Sequence, residues 1–318
     1  MNLDELEAAV RVAWDREAIA VYADHLQTIG DPRGELVAID LRIDEGEAGA
    51  EITARREQLI AEWFGADLPP GIVRYGFVDV RASGMRPDSQ LTIALRGPGA
   101  KYIRSVELAG PHEELLPAVR MLVKEPCPWL TKLVIHQWQD VATPTLAKDL
   151  AVAMPALDAL ELSGRNILTM GAHPNVQRLR ITGFDAHSAL LDPSAIWPRV
   201  TALDFAFQCQ YVTAARAPSR YELDRLLRGL PALRELDLSR NDRGAIEPHS
   251  LGGTVVLGDF IPRFDSLEVL RLPKRQRDDA RLQNSLDALT SLRELDIYDT
   301  PTHDMPTHAR AKARALKR

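Results

Sequence analysis

The chain has 318 residues, of which 45% are hydrophobic and 26% charged, with a formal net charge of −6. That composition is ordinary for a folded protein and excludes a low-complexity or disordered chain. No apolar run approaches the roughly 20 residues that a spanning helix needs. The first thirty residues carry Asp4, Glu5, Glu7, Asp15 and Glu17, where a secretory signal would need a basic region and an apolar core. A cytoplasmic location and no membrane partner are the expectation.

The charge is uneven. Residues 1–70 hold 16 acidic and 6 basic side chains, whereas the basic excess beyond them is matched by Arg310, Lys312, Arg314, Lys317 and Arg318. The stretch between is near neutral, which argues against a general nucleic-acid surface. Only two cysteines occur, Cys127 and Cys209, too few for a disulfide framework and without partners at metal spacing. Both read as small buried hydrophobes.

Apolar residues recur at helical spacing in four stretches: Leu3, Leu6, Val10, Ala13; Ile19, Tyr22, Ala23, Leu26; Leu36, Ile39, Ile43; and Ile52, Leu59, Ile60, Trp63. Each face is apolar on one side only, so these helices must pack together or against a neighbour. Between the second and third lies Gly30-Asp31-Pro32-Arg33-Gly34-Glu35. Gly30 suits the left-handed end of a helix, Asp31 a cap, and Pro32 a first turn, where no amide hydrogen is needed. Asp24, Asp31, Arg33 and Glu35 therefore read as a capping and salt-bridge network that fixes a corner.

The run Asp15-Arg16-Glu17, then Val21-Tyr22-Ala23-Asp24-His25-Leu26, then the Gly30–Glu35 corner resembles the bacterial repeat-companion domain, a short module that usually precedes leucine-rich or similar repeats. His25 stands where that family usually has Trp. The resemblance implies a repeat domain downstream, and it implies no catalytic activity.

A pattern Leu-x-x-Leu-x-Leu, with conservative apolar replacements, does recur downstream. Its clearest copy is Leu233-Arg234-Glu235-Leu236-Asp237-Leu238. Relatives are Leu157/Leu160/Leu162, Val176/Leu179/Ile181, Val200/Leu203/Phe205, Leu267/Leu270/Leu272 and Leu292/Leu295/Ile297, and weaker ones are Tyr75/Val78/Val80, Ile103/Val106/Leu108 and Leu130/Leu133/Ile135. These nine copies step by about 27 residues, within the range of about 20–29 for leucine-rich repeats, which they resemble. The expected fold is α/β: a leucine-rich-repeat solenoid with a curved parallel sheet and helices on its convex side, preceded by a small all-helical N-terminal domain. Residues 1–67 form the helical domain in this reading, 72–304 the repeats, and 305–318 a basic tail or capping helix over Ala309–Arg318. Return helices are expected at Glu113–Lys124, Leu146–Met154, Tyr221–Leu230 and Ala280–Leu289, and either an extended, hairpin-like excursion or a long connecting loop within 244–264.

Side chains alternate along a strand, so the residues between the leucines face outward. On the expected concave face these are Glu107; Lys132, Val134, His136 and Trp138; Glu161; Arg178 and Arg180; Asp204; Glu235 and Asp237; Arg271; and Glu294, Asp296 and Tyr298. Their signs alternate from repeat to repeat, and lateral pairing between neighbours is one reading of them. The other is a mixed-charge docking face with His136, Trp138 and Tyr298 as ring-bearing anchors, Trp, Tyr and Arg being the residues that dominate interface energetics.

No phosphate-loop, dinucleotide, serine-elbow or zinc-helix motif occurs, and Gly97-Pro98-Gly99-Ala100-Lys101 lacks phosphate-loop spacing and reads as a turn. His303, Asp304 and His308 read as a solvated tail. No cofactor or metal is expected. A non-catalytic scaffold or adaptor that binds a protein or peptide is the leading expectation. The alternative is a regulatory subunit that presents a substrate to a separate enzyme; an enzyme, or a nucleic-acid binder using the basic tail, comes behind both.

Overall fold

The computed structural model describes residues 2–47, 49–65, 71–139, 146–165, 171–183, 196–207, 227–240, 265–273, 286, 289–298 and 310–312. It divides into two compact units, Met1–His136 with Val152–Leu157 and Gln137–Ala151 with Asp158–Arg318.

The first unit opens on four helices where the apolar spacing predicts them. Helix α1 (Leu3–Ala13) starts in a capping box in which Asn2 and Glu5 exchange side chain-to-backbone hydrogen bonds. Helix α2 (Arg16–Thr28) is capped by the Asp15 carboxylate, which accepts from the Ala18 amide at 2.9 Å. Its far end is a Schellman turn: the Gly30 amide donates to the Gln27 carbonyl and the Asp31 amide to the Leu26 carbonyl. Gly30 sits at φ +71, the left-handed geometry the motif needs. Helix α3 (Arg33–Asp44) follows at once, with the Arg33 amide donating to Asp31 Oδ1, and α4 (Ala50–Phe64) completes the set.

Gly34 lets α3 cross α2 closely. A Cβ at Gly34 would lie 2.8 Å from the Gln27 backbone nitrogen and 3.1 Å from Leu26 Cβ. Alanine is the better helix former by about 1 kcal/mol, yet backbone cannot yield as a flexible side chain can. Gly34→Ala is therefore expected to destabilise the protein by about 1–3 kcal/mol, read as a lower urea midpoint.

The helices do not bury their apolar faces among themselves alone. Leu6, Val10, Ile19, Tyr22, Ala23, Leu26 and Val37 share a cluster with Tyr75 and Phe77, so the first compact unit runs on past the 67/72 junction suggested by the sequence. Strands β1 (Gly71–Arg74) and β2 (Phe77–Ser83) form an antiparallel hairpin. Its two-residue turn, Tyr75-Gly76, has positive φ at both positions, as a type I′ turn requires. Tyr75, Val78 and Val80 are all buried, with Tyr75 in the turn ahead of β2; the sequence pattern does not foretell β1. The Phe77 ring stacks on Tyr22 at 5.7 Å between centroids, and Trp14 meets Tyr75 and Phe77 edge-on.

Two guanidinium groups are buried here. Arg33, 2% exposed, is held by Asp31, Glu7 and the Tyr22 hydroxyl. Arg11 donates to the Lys101 carbonyl at 3.0 Å and to the Trp129 carbonyl at 3.4 Å, with Phe77 and Trp129 rings against it. The corner residues therefore act as the sequence implies, with Glu35 bound to Arg55 outside; Asp24 is exposed.

Parallel strands follow: β3 (Ile103–Ala109) on β2, and β4 (Lys132–Gln139) on β3. Helices α5 (Pro87–Arg96) and α6 (His112–Lys124) return the chain between them. The pattern does not foretell α5, whereas α6 and α7 (Leu146–Ala153) lie where return helices are expected. In the second unit β5 (Ala159–Arg165), β6 (Arg178–Gly183), β7 (Ala202–Phe207), β8 (Glu235–Asp237), β9 (Val269–Pro273) and β10 (Glu294–Tyr298) lie in chain order, each parallel to the last. The fold is thus α/β with a mostly parallel open sheet. Strand β11 (Arg310–Lys312) pairs antiparallel with β10, so these three residues are not helical; the rest of the basic tail or capping helix expected over 305–318 falls outside the described residues. Alternation of charge and alanine at Arg310-Ala311-Lys312 fits a strand as well as a helix, and the unpaired backbone groups along an edge such as β10 decide for the strand. The return helices expected at 221–230 and 280–289 fall mostly outside the described residues, and the excursion within 244–264 falls wholly outside them.

A tight turn precedes the strands in both units. The amides of Leu130, Leu157, Val200, Leu233 and Leu292 donate to the carbonyls of Cys127, Met154, Trp197, Leu230 and Leu289, three residues back. Those five upstream residues are themselves buried, so every such unit has a core position ahead of its first leucine.

Candidate functional site

The strands of the second unit separate two chemistries. Leu160 and Leu162, Leu179 and Ile181, Leu203 and Phe205, Leu236 and Leu238, and Leu270 and Leu272 are at most 4% exposed. Between each pair stands one charged residue facing the other way. Register aligns these into a row that crosses six strands: Glu161, Arg180, Asp204, Asp237, Arg271 and Asp296. A second row two residues earlier runs Ala159, Arg178, Ala202, Glu235, Val269 and Glu294.

Opposite charges pair across the strands. Arg180 Nε donates to Asp204 Oδ2 at 2.7 Å, and its Nη1 lies 3.5 Å from Glu161 Oε2. Partial burial alone would lower the Arg180 pKa, but Asp204 and Glu161 outweigh it and the net shift is upward. The one like-charged step, Asp204 beside Asp237, is relieved from outside the row. Arg240 Nη2 donates to Asp204 Oδ1 at 2.7 Å, while Asp237 Oδ1 accepts from the Ser239 amide and hydroxyl. Arg271 lies 3.3 Å from Glu294, 3.7 Å from Asp296 and 3.8 Å from Glu235. Arg178 turns back to Asp158 at 2.6 Å.

Pairing covers this face only in part. The Arg180 side chain keeps 47% of its exposure, and Glu235 and Glu294 beside the row keep 50%, whereas Glu161, Asp204, Arg271 and Asp296 keep 14–25%. Exposed pairs of this kind contribute only about 0–1 kcal/mol each, so the fold depends little on them.

In the first unit the outward positions carry Arg81, Glu107 and His136, with His136 Nε2 at 3.3 Å from Glu107 Oε1 and Arg81 Nε at 3.4 Å from Glu107 Oε2. Asp79 is held by Arg104 and Ser105, and the Arg104 guanidinium stacks on Trp14 at 3.6 Å. The backbones of Trp138 and Tyr298 lie on β4 and β10, but their side chains fall outside the described residues. Of the outward residues expected from sequence, the structure thus gathers Glu161, Arg180, Asp204, Asp237, Arg271 and Asp296 into one row and puts Arg178, Glu235 and Glu294 beside it. His136 belongs to the first unit. Sequence reasoning missed Arg240; its signal is the basic residue two places beyond Leu238 in the clearest copy.

Burial pushes the Cys127 thiol up to about 11, the opposite of an activated nucleophile, and Cys127 occupies the turn position that Met154 and Trp197 fill elsewhere. Cys209, His303 and His308 lie outside the described residues. No described helix is long and apolar enough to cross a membrane. No protein-family model matches the chain, and a search of the curated proteins finds no match.

Proposed function

We propose that this chain is a bacterial, cytoplasmic protein of the leucine-rich-repeat type with a repeat-companion segment in front, and that it works as a non-catalytic scaffold. A protein or peptide partner docks on the outward face of the parallel sheet. One observation carries the reading: six strands align one charged residue each in a row that stays partly exposed. Lateral pairs hold Arg180 and Arg271 in position, so a partner meets a preorganised pattern of donors and acceptors and loses less side-chain entropy on binding. Delivery of a substrate to a separate enzyme uses the same surface.

The test is affinity capture from a bacterial lysate with the wild type and an Arg180→Gln/Arg271→Gln variant of unchanged thermal midpoint. Loss of a captured protein with the variant is the expected result. Identical partners for a variant that is still folded would overturn this placement of the docking face.

A further inference from the structure

The six parallel strands of the second unit end in a short strand of opposite direction. Strand β11 pairs with β10 over three residues: Asp296 faces Lys312, Ile297 faces Ala311 and Tyr298 faces Arg310. An edge strand presents a row of backbone donors and acceptors that will pair with any extended chain of compatible sequence. Here the edge is taken by a segment of the same chain.

Charge distinguishes this edge from the rest of the row. The outward positions of β8, β9 and β10 carry Glu235, Asp237, Glu294 and Asp296 against the single cation Arg271. The segment 305–318 carries five basic residues and no acidic one. Register brings the backbone of Lys312 opposite that of Asp296, and an acidic edge favours a basic partner. Backbone pairing and charge thus select the same kind of occupant, an extended basic segment.

We propose that the β10 edge is a binding site for a basic extended peptide, and that β11 is its built-in occupant, which a partner peptide of the same chemistry must displace. This rests on the reading of the sheet as a protein-docking surface and names the class of partner that its β8–β10 end accepts. With the internal strand in place only a fraction of molecules offers a free edge, and the apparent affinity for an added peptide falls by that fraction.

A fluorescein-labelled peptide of residues 305–318, titrated into the full chain and followed by anisotropy, tests this. Full-length Arg310→Glu/Lys312→Glu, which weakens the internal strand, should bind the peptide at least about 10-fold tighter than the wild type, the factor for an edge about one-tenth free. Adding Glu294→Gln/Asp296→Asn to that variant should reverse most of the gain, and raising the salt should weaken binding further. A peptide of the same composition in scrambled order should bind more weakly. Equal affinity for wild type and variant, no binding to either, or equal binding of the scrambled peptide would overturn the proposal. Because the probe is a defined peptide, a failed lysate capture would leave this result standing, and the reverse holds too.

Discussion

Replacing Arg33 with methionine is expected to destabilise the first unit by about 3–5 kcal/mol, the range for removing one partner from a buried ionic network. The guanidinium Nη2 donates to Asp31 Oδ2 at 2.6 Å, and Nη1 donates to Glu7 Oε1 at 2.7 Å and to the Tyr22 hydroxyl at 3.0 Å. Its Cζ lies over the Tyr102 ring, 4.2 Å from the centroid. One side chain therefore ties α1, α2, the α2–α3 corner and the segment before β3. Methionine fills the volume but strands two carboxylates with too few donors. Lysine keeps the charge, yet one ammonium cannot reproduce the fork that meets Asp31 and Glu7 together, so Arg33→Lys should recover only part of the loss. Acid should reveal the same network. Burial by itself would raise the Asp31 pKa, but the Arg33 hydrogen bonds and charge bring it below its ordinary value. A depressed carboxylate stabilises the fold above its ordinary unfolded pKa, and the stabilisation is lost as pH falls through the depressed folded value. Urea midpoints measured from about pH 6 down to pH 3 should decline in the wild type and decline less in Arg33→Met. A methionine variant as stable as the wild type would show the network to be energetically neutral.

The features legible in the sequence are those written in a local period. Helices α1 to α4 and the buried leucines of β3 to β9 follow from apolar spacing, because burial imposes one side of a helix or alternate residues of a strand. The Gly30–Glu35 corner is legible because each of its residues has one physical use there. What escaped has a different cause. Helix α5 carries Pro87 at its start and a mixed surface in which only Pro87, Leu91 and Ala94 are buried, too few to mark a face. Strand β1 depends on the positive-φ turn at Tyr75-Gly76, and a tyrosine there is no turn signal. The buried position three residues before each first leucine holds Cys127, Met154, Trp197, Leu230 or Leu289, types too diverse to read as a repeat until the turn aligns them. The charged row was legible as alternation, whereas Arg240 reaches Asp204 from outside a strand, 36 residues away, a distance that no local period spans.

Leu203→Ala and Arg180→Gln test the two faces of one strand pair, and their effects should differ several-fold. Leu203, 1% exposed on β7, stands in register between Leu179 and Leu236, both equally buried. Truncation opens a cavity that parallel strands on either side cannot close without moving their own leucines, so the expected cost is about 2–5 kcal/mol. Arg180 is the register neighbour of Asp204, one residue along from Leu203. Its pairs are exposed, and glutamine keeps a donor, so the expected cost is within about 1 kcal/mol. Urea unfolding at constant m-value separates the two; equal costs would mean that the charged row carries the fold and is not a free surface. The asymmetry matters for function as well as stability. A substitution that leaves the fold nearly unchanged and still abolishes a partner would assign the lost affinity to the surface itself, and Arg180→Gln is the variant expected to leave the fold unchanged because the inward leucines hold the sheet together without it.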